Sequence, residues 1–418
     1  MKNYKNINLI LTSFSTRAAA DCFSTLKNLK IYSFDYFGDL DLKEIVDYSY
    51  SLKENKHNFK TEVLFEAVKK FLRQNQNQEY DLIYASAWDN HPELLYQLEK
   101  IKNLRLRGNS AAVISKLNQK ETLKNLFKLA EKAGFKTPDL FLNKNDFYYF
   151  SDKIDKDLII KPYQSGGGLD LKLIKAGTAK EKVLKDNFTA NGSFFAEEFI
   201  KGNNRSCQFA ADGKKARILS FTQELKADAV NPKFKNSFKY AGNILTKEDV
   251  KSRNIISTFI NELVKKYSLQ GINGIDYIKN EQGIFFIELN PRFTAAVELI
   301  KDIYREKLLN IYLKNELAAD YLKKYLKRDL GLSAKVIYYT DHNFKLKKTL
   351  SEIFKIIKQE IPPRILAKSK IEIKDLPKKG EFFKKDDPVF SLIIKSKNKN
   401  DYLSIKNLVF SEFKKYFI

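Results

Sequence analysis

Along the first hundred residues, short apolar runs alternate with stretches whose apolar positions recur every three or four residues. Ile7–Thr12 is an apolar strand, and 15–28 reads as a helix opened by a Ser/Thr cap. A second strand over 31–35 runs into the turn-like D-Y-F-G-D-L-D of 35–41. Positions 62–73 form an amphipathic helix, 81–86 a short strand, and Pro92–Glu99 a helix with Pro in its first turn. Strand–helix alternation of this kind predicts a parallel sheet covered by helices. Ligands of such sheets sit beyond the carboxyl ends of the strands, which here means 12–15, 35–39 and 86–90.

The pattern then changes. Positions 110–136 are helical, ending at Gly134 with Pro138 beyond. From 158 to about 299 the chain reads as strands and hairpins interrupted by a helix at 251–267. A helical stretch over 300–326 leads to a strand at 334–339. The tail has turn signals at Pro362-Pro363 and 378–380, a strand at 389–395 and a final helix near 401–415. We divide the chain into a Rossmann-like domain (1–108), a larger α/β domain, α+β in parts (109–330, with a lid at about 135–200), and a small β-rich segment (331–418).

Composition narrows the class. With 418 residues and 43% hydrophobic positions the chain has material for several cores, and no apolar run approaches the ~20 residues of a membrane span. The basic start is followed by too short an apolar stretch for a signal peptide. Cys22 and Cys207 form neither a metal pattern nor a disulfide framework, which implies a reduced, cytoplasmic setting. The net charge of +24 would suit a nucleic-acid or acidic-membrane binder. The lysines are scattered rather than blocked, however, and their company of Asn, Ile, Phe and Tyr is what an AT-rich coding sequence gives. We therefore expect neither partner.

Three segments carry chemistry. In the first, the apolar strand D-L-I-I-K-P of 157–162 delivers Lys161 to Ser165-Gly166-Gly167-Gly168. Glycines let successive backbone N–H groups turn toward one anion, and the lysine adds charge, as a triphosphate requires. Next, Ser193–Gly202 is an apolar strand ending in Glu197 and Glu198, with Ile200 beyond, and can supply the backbone groups of an adenine hinge. Finally, G-I-N-G-I-D-Y-I (271–278) and I-F-F-I-E-L-N-P-R-F-T (284–294) would pair as a hairpin through 280–283, with Asp276 opposite Glu288. Two buried carboxylates side by side need cations, and hard oxygen ligands suit Mg²⁺. Arg292 would project to the face of Asn290 and hold developing negative charge.

In this order, K-P-x-x-S-G-G-G, E-E-F-I-x-G, G-x-D-Y-I and E-x-N-P-R resemble the ATP-grasp superfamily over roughly 110–300. The resemblance implies an ATP-grasp fold with an N-terminal Rossmann-like pre-ATP-grasp domain. It makes Lys161 and Lys120 nucleotide lysines, 165–168 the mobile lid and Glu197, Glu198 and Ile200 the hinge. Asp276, Glu288 and Asn290 would hold two Mg²⁺ ions (or Mn²⁺), and Arg292 would steady the acyl phosphate. Where these enzymes usually have Asp before the first lysine, this chain has Gln119.

A narrower likeness joins S-F-S-T-R (13–17), D-Y-F-G-D-L-D (35–41), H-P-E-L-L (91–95), R-G-N-S (107–110), F-K-Y-A-G (238–242) and the tail D-L-P-K-K-G…D-D-P-V-F-S-L-I. It resembles the branch containing tyramine–glutamate ligases of methanofuran biosynthesis and carboligase-like proteins of one-carbon metabolism. That branch usually carries a Gly and a Glu where Ala87, Trp88 and Asp89 stand. The expected reaction is ATP-dependent ligation of a small-molecule carboxylate, glutamate foremost, to an aromatic amine, in a chain that could work as a homodimer. Ser13, Arg17 and Arg205 are the candidate substrate contacts. A biotin-carboxylase-like carboligase and a basic nucleic-acid binder are the alternatives.

Overall fold

The computed structural model describes residues 6–150, 152–163, 168, 171–187, 194–230, 238–317 and 331–416. Its first unit is a five-stranded parallel sheet of β1 (Ile7–Thr12), β2 (Leu29–Asp35), β3 (Tyr48–Ser51), β4 (Tyr80–Tyr84) and β5 (Leu104–Arg107), in the order β3-β2-β1-β4-β5. The order reverses between β1 and β4, so the ligand crevice of such a sheet lies there. Helices Thr61–Gln74 and Pro92–Glu99 cover one face through Leu64, Val68, Leu95 and Leu98. The other face packs directly on the second unit: Leu9, Leu11, Phe23 and Ile83 share a core with Ile272, Phe293, Leu308 and Tyr312. Each such side chain contributes roughly 1.5–3 kcal/mol of burial, which fixes the two units against one another.

A four-stranded antiparallel sheet, β6 (Leu140–Phe141), β7 (Leu158–Pro162), β8 (Lys172–Ile174) and β9 (Phe194–Glu198), occupies the expected lid region in the order β6-β9-β7-β8. It has its own small core around Phe147, Leu158, Ile160 and Val183.

The largest element is an eight-stranded antiparallel sheet. It contains β10 (Asn203–Asp212), β11 (Ala216–Lys226), β12 (Tyr240–Thr246), β13 (Gln270–Asn280), β14 (Gly283–Asn290) and β15 (Leu332–Tyr339). A two-stranded ribbon follows, β16 (Phe344–Lys345) with β18 (Phe382–Phe383). The tail strands β17 (Lys370–Lys374) and β19 (Pro388–Ser396) complete the large sheet, whose order is β14-β13-β10-β11-β12-β15-β19-β17. The tail thus extends the central sheet, and helices Leu350–Glu360 and Lys399–Lys414 cover it.

Side-chain alternation gives this sheet two different faces. Cys207, Phe209, Phe221, Ile275 and Tyr277 point at helices Lys120–Ala133 and Val250–Tyr267. The intervening residues face the first unit. They are apolar where Ala210 and Ile272 meet it, and polar along Ser206, Gln208, Ser220 and Thr222.

The continuous helix expected over 110–136 is two helices, Ala111–Leu117 and Lys120–Ala133. Gln119 takes an extended backbone between them, and the Thr122 hydroxyl donates to the Lys116 carbonyl (2.7 Å) to close the joint. Gly134 ends the second helix in the left-handed conformation at φ +103°. Among the described residues no helix is long and apolar enough to cross a membrane.

Candidate active site

The short turn between β13 and β14 sets a register with Asn280 opposite Gly283 and Tyr277 opposite Phe286, which by itself would put Ile287 opposite Asp276. A bulge between Asp276 and Tyr277 shifts the pairing by one residue, and Asp276 lies opposite Glu288. Asn290 reaches both acids, its Nδ2 donating to Asp276 Oδ2 (2.8 Å) and Glu288 Oε1 (3.3 Å). The pair is not buried on both sides as expected. Asp276 is half-buried, whereas Glu288 is exposed, because β14 is an edge strand and leaves its outer flank open.

Glu288 nevertheless governs the charges around it. Burial, then Glu288 and Glu224, push the Asp276 carboxyl well above its ordinary range. Burial, then Glu288, push Glu224 up to about 7. Glu197 is also raised by burial and by Glu288, with Lys161 opposing. The acids thus belong to one electrostatic cluster although they come from β9, β11, β13 and β14. The cations facing them are Lys161 at the end of β7, buried and 2.5 Å from Glu197 Oε1, Lys226 near Glu224, and Arg292 near Glu288 and Asp276. Glu197 Oε2 has no partner among the described residues.

The remaining sequence candidates fall as follows. Lys120 opens helix Lys120–Ala133 with its ammonium 4.7 Å from the Tyr163 ring, which packs on Phe195 of β9; Lys120 and Lys161 therefore both border the four-stranded sheet. Glu198 faces away from Glu197 and accepts from the Asp139 N–H (3.4 Å). Ile200 follows β9 and is half-buried. Ser165, Gly166 and Gly167 lie outside the described residues. Gly168 has φ +72°, and a Cβ there would lie 1.9 Å from the Phe238 carbonyl oxygen. That contact joins the glycine segment to F-K-Y-A-G.

Arg292 donates through Nη2 to Asn290 Oδ1 (3.0 Å) and through Nε to Asp89 Oδ2 (2.8 Å). Asp89 belongs to the first unit, so this arginine bridges the two units at the site. Ala87 stands at φ +81°, a conformation that favours glycine.

Ser13 sits at the β1/β4 crevice, its hydroxyl 3.1 Å from that of Ser86. Arg17 is fully buried and doubly bonded to Glu298, with Nη2 3.0 Å from Oε2 and Nε 2.7 Å from Asp375 Oδ1. Burial opposes its charge, but Asp375 and Glu298 outweigh that and hold its pKa well above the usual value. Arg205 pairs across the sheet with Tyr277, on the face opposite Asp276, and donates to Thr246 Oγ1 (2.7 Å). The structure thus gives both arginines protein partners.

Sequence reasoning missed Glu224, Asp89 and the polar track leading away from the acids. Gln208 donates to Ser206 Oγ (2.8 Å), Ser220 to Gln208 Oε1 (2.7 Å), and Asn243 to Thr222 Oγ1 (3.0 Å). Tyr240 donates to Asn243, and Lys335 to Glu298 Oε2 (3.1 Å). The signal was present: Ser206 and Gln208 on β10, and Ser220, Thr222 and Glu224 on β11, are polar at every second position.

Comparison with known proteins accords with this geometry. Residues 118–296 match the ATP-grasp domain family, and the chain has the α/β ATP-grasp fold, with a parallel N-terminal sheet beside antiparallel sheets. An uncharacterised protein of Methanocaldococcus jannaschii is 23% identical over 98% of this chain and 93% of its own length. The tyramine–L-glutamate ligase of the same organism is 26% identical over 59% of this chain and 65% of its length. Among solved structures, the biotin carboxylase domain dimer of Hydrogenobacter thermophilus 2-oxoglutarate carboxylase, with MgADP and bicarbonate, has a TM-score of 0.65 at 12% identity. It covers 95% of this chain and 87% of that one, a likeness of fold alone.

Proposed function

We propose that the chain is an ATP-dependent carboxylate–amine ligase that forms an amide through an acyl phosphate, with glutamate as acid and an aromatic amine such as tyramine as nucleophile. The observation that carries this reading is the excess of carboxylates around Glu288, faced by Lys161. Such a cluster is costly alone and favourable around a cation-bearing triphosphate. Among the described residues no group of three or more His, Cys, Asp or Glu could hold a metal by itself. That suits Mg²⁺, which takes one or two carboxylates and completes its shell with phosphate and water. Asp276, Glu288 and Asn290 would hold it, and when bound it supplies charge neutralisation between the phosphates and the incoming carboxylate.

In the proposed reaction a substrate carboxylate oxygen attacks the γ-phosphorus and the bond to ADP breaks. The amine nitrogen then attacks the acyl carbon, phosphate departs with the C–O electron pair, and the amine releases its proton to solvent. Lys161 lies where it can offset phosphate charge. Arg292, held by Asp89 and Asn290, can stabilise the oxyanion of the second step.

The test is ADP release by the full chain with MgATP, L-glutamate and tyramine, alongside bicarbonate and biotin. ADP release that requires both acid and amine supports the reading; release with bicarbonate and biotin alone overturns it. Glu288→Gln should lower ADP release by about 10²-fold or more with no loss of thermal stability, since it removes repulsion from Asp276. Undiminished turnover in that variant would remove the acid cluster from the chemistry.

A further inference from the structure

A second concentration of acids lies on the carboxyl edge of the parallel sheet, apart from the cluster around Glu288. Three of its four members are provided for. Asp35 accepts from Thr16 N (3.1 Å), the Thr16 hydroxyl (3.1 Å) and Gly38 N (3.0 Å). Asp41 accepts from Asp375 N (3.1 Å) and Leu376 N (2.8 Å). Asp375 takes Arg17 Nε and the Ser391 hydroxyl. The fourth, Asp39, is 7% exposed, and its Oδ2 has no partner among the described residues. It caps nothing at the helix it precedes, Leu40–Lys43.

We infer that Asp39 anchors a non-reacting ammonium group of the substrate, a reading that rests on the ligase function proposed above and adds a feature its substrate must carry. Three observations converge. First, the orphaned oxygen is held in place: Gly38 beside it has φ +67°, and a Cβ there would lie 2.5 Å from Ser51 Cβ, so the turn is closely packed. Second, burial first, and then Asp375, Asp35 and Asp41, push the Asp39 carboxyl well above its ordinary range, with Arg17 opposing them. A positive ligand relieves that imbalance, whereas a neutral or anionic one does not.

Third, the location suits a substrate. β2 and β4 flank β1, so the loops carrying Asp39 and Asp89 leave the sheet about 10 Å apart, two strand spacings. Ser13 and Ser86 lie between them at the strand-order reversal, and Arg292 is held at the Asp89 end. A small molecule reaching from Arg292 across the serine pair would bring its far end to Asp39. A divalent metal is a poorer occupant, because the oxygens of Asp35, Asp41 and Asp375 are already committed to N–H and O–H donors.

The test uses the full chain and a pair of probes that differ by one non-reacting ammonium, L-glutamate and glutarate, titrated by calorimetry. Wild type should bind L-glutamate at least tenfold more tightly than glutarate. Asp39→Asn should abolish that preference while leaving the binding of glutarate unchanged. Asp39→Ala, also free of any capping role, should repeat the result. Wild type that does not prefer L-glutamate, or an Asp39 variant that discriminates as wild type does, overturns the inference. ADP release is measured in parallel. Turnover with discrimination unaffected by Asp39 sinks the subsite alone. Asp39-dependent ammonium binding without turnover of any acid–amine pair sinks the ligase reading alone.

Discussion

Two charge clusters, one buried and one open at Glu288, occupy the same polar face of the central sheet, and they are built on opposite principles. Around Arg17, the carboxylates of Glu298 and Asp375 meet the guanidinium and Lys335, so each charge has a protein partner. Burial opposes the ionised form of Asp375, yet Arg17 and Lys335 hold its pKa well below the ordinary range. Around Glu288, four acids face Lys161, Lys226 and an Arg292 already paired with Asp89, and Asp276, Glu224 and Glu197 are all pushed upward. A cluster neutralised from within joins pieces of the chain; a cluster left negative is complete only with cations from outside. The first locks the N-terminal unit, the helical turn Ala295–Ile300 that carries Glu298, and the tail together. The second is where the proposed chemistry with Mg-ATP would take place.

That contrast breaks most visibly at Arg17. Arg17→Ala leaves Glu298 and Asp375 buried with less compensation, and removing one partner of such a pair costs about 3–5 kcal/mol. Chemical denaturation should show that loss, while ADP release per folded molecule at permissive temperature stays within about threefold of wild type. A stable Arg17→Ala protein that has lost ADP formation would show instead that this guanidinium binds substrate, and the division between the clusters would fall.

How far the contrast could be read beforehand depends on the range of the interactions. The β13–β14 hairpin was legible because its two-residue turn is local, although the pairing of Asp276 with Glu288 also depends on the bulge beside Asp276. The exposure of Glu288 was not, because it follows from strand order in a sheet assembled from β10 to β19. Arg17 offered no signal at all, since its partners are 281 and 358 residues away. Short strands such as Tyr48–Ser51 and Leu104–Arg107 carry too few residues to show a period. Helix Leu350–Glu360 did announce itself, through the Thr349/Glu352 capping box, and was overlooked.

Asp35 is an intermediate case that sharpens the contrast: fully hydrogen-bonded, but with no cation. Burial raises its carboxyl from 3.8 to about 6 despite its three donors. The folded chain therefore holds this proton more tightly than the unfolded chain. As pH rises from about 4 to 6, ionisation is penalised in the fold alone, and stability falls by about 3 kcal/mol through this group. Asp35→Asn should flatten the dependence of unfolding free energy on pH across that window. The slope is the readout, so any offset from the altered hydrogen bonds does not affect the conclusion. An unchanged slope would mean that the donors of Thr16 and Gly38 compensate fully for burial.

The smallest effect is expected at Ala87, where strain rather than charge is at issue. At φ +81° and ψ −34° a Cβ is disfavoured, and the residue holds the turn from which Asp89 reaches Arg292. Ala87→Gly removes a steric cost of roughly 1–2 kcal/mol and restores unfolded-state entropy worth roughly 0.4–1 kcal/mol, so a net gain of about 1 kcal/mol follows. If the strained turn serves to hold Asp89 against Arg292, the same substitution should lower kcat for ADP release by a few-fold as the turn loosens. A thermal melt and a turnover assay on one preparation decide it. Higher stability with lower turnover would place Ala87 among the positions where a site is held taut at the expense of the fold. A loss of both would show that the alanine methyl is needed for packing, and that the turn is shaped by its neighbours rather than by its own backbone.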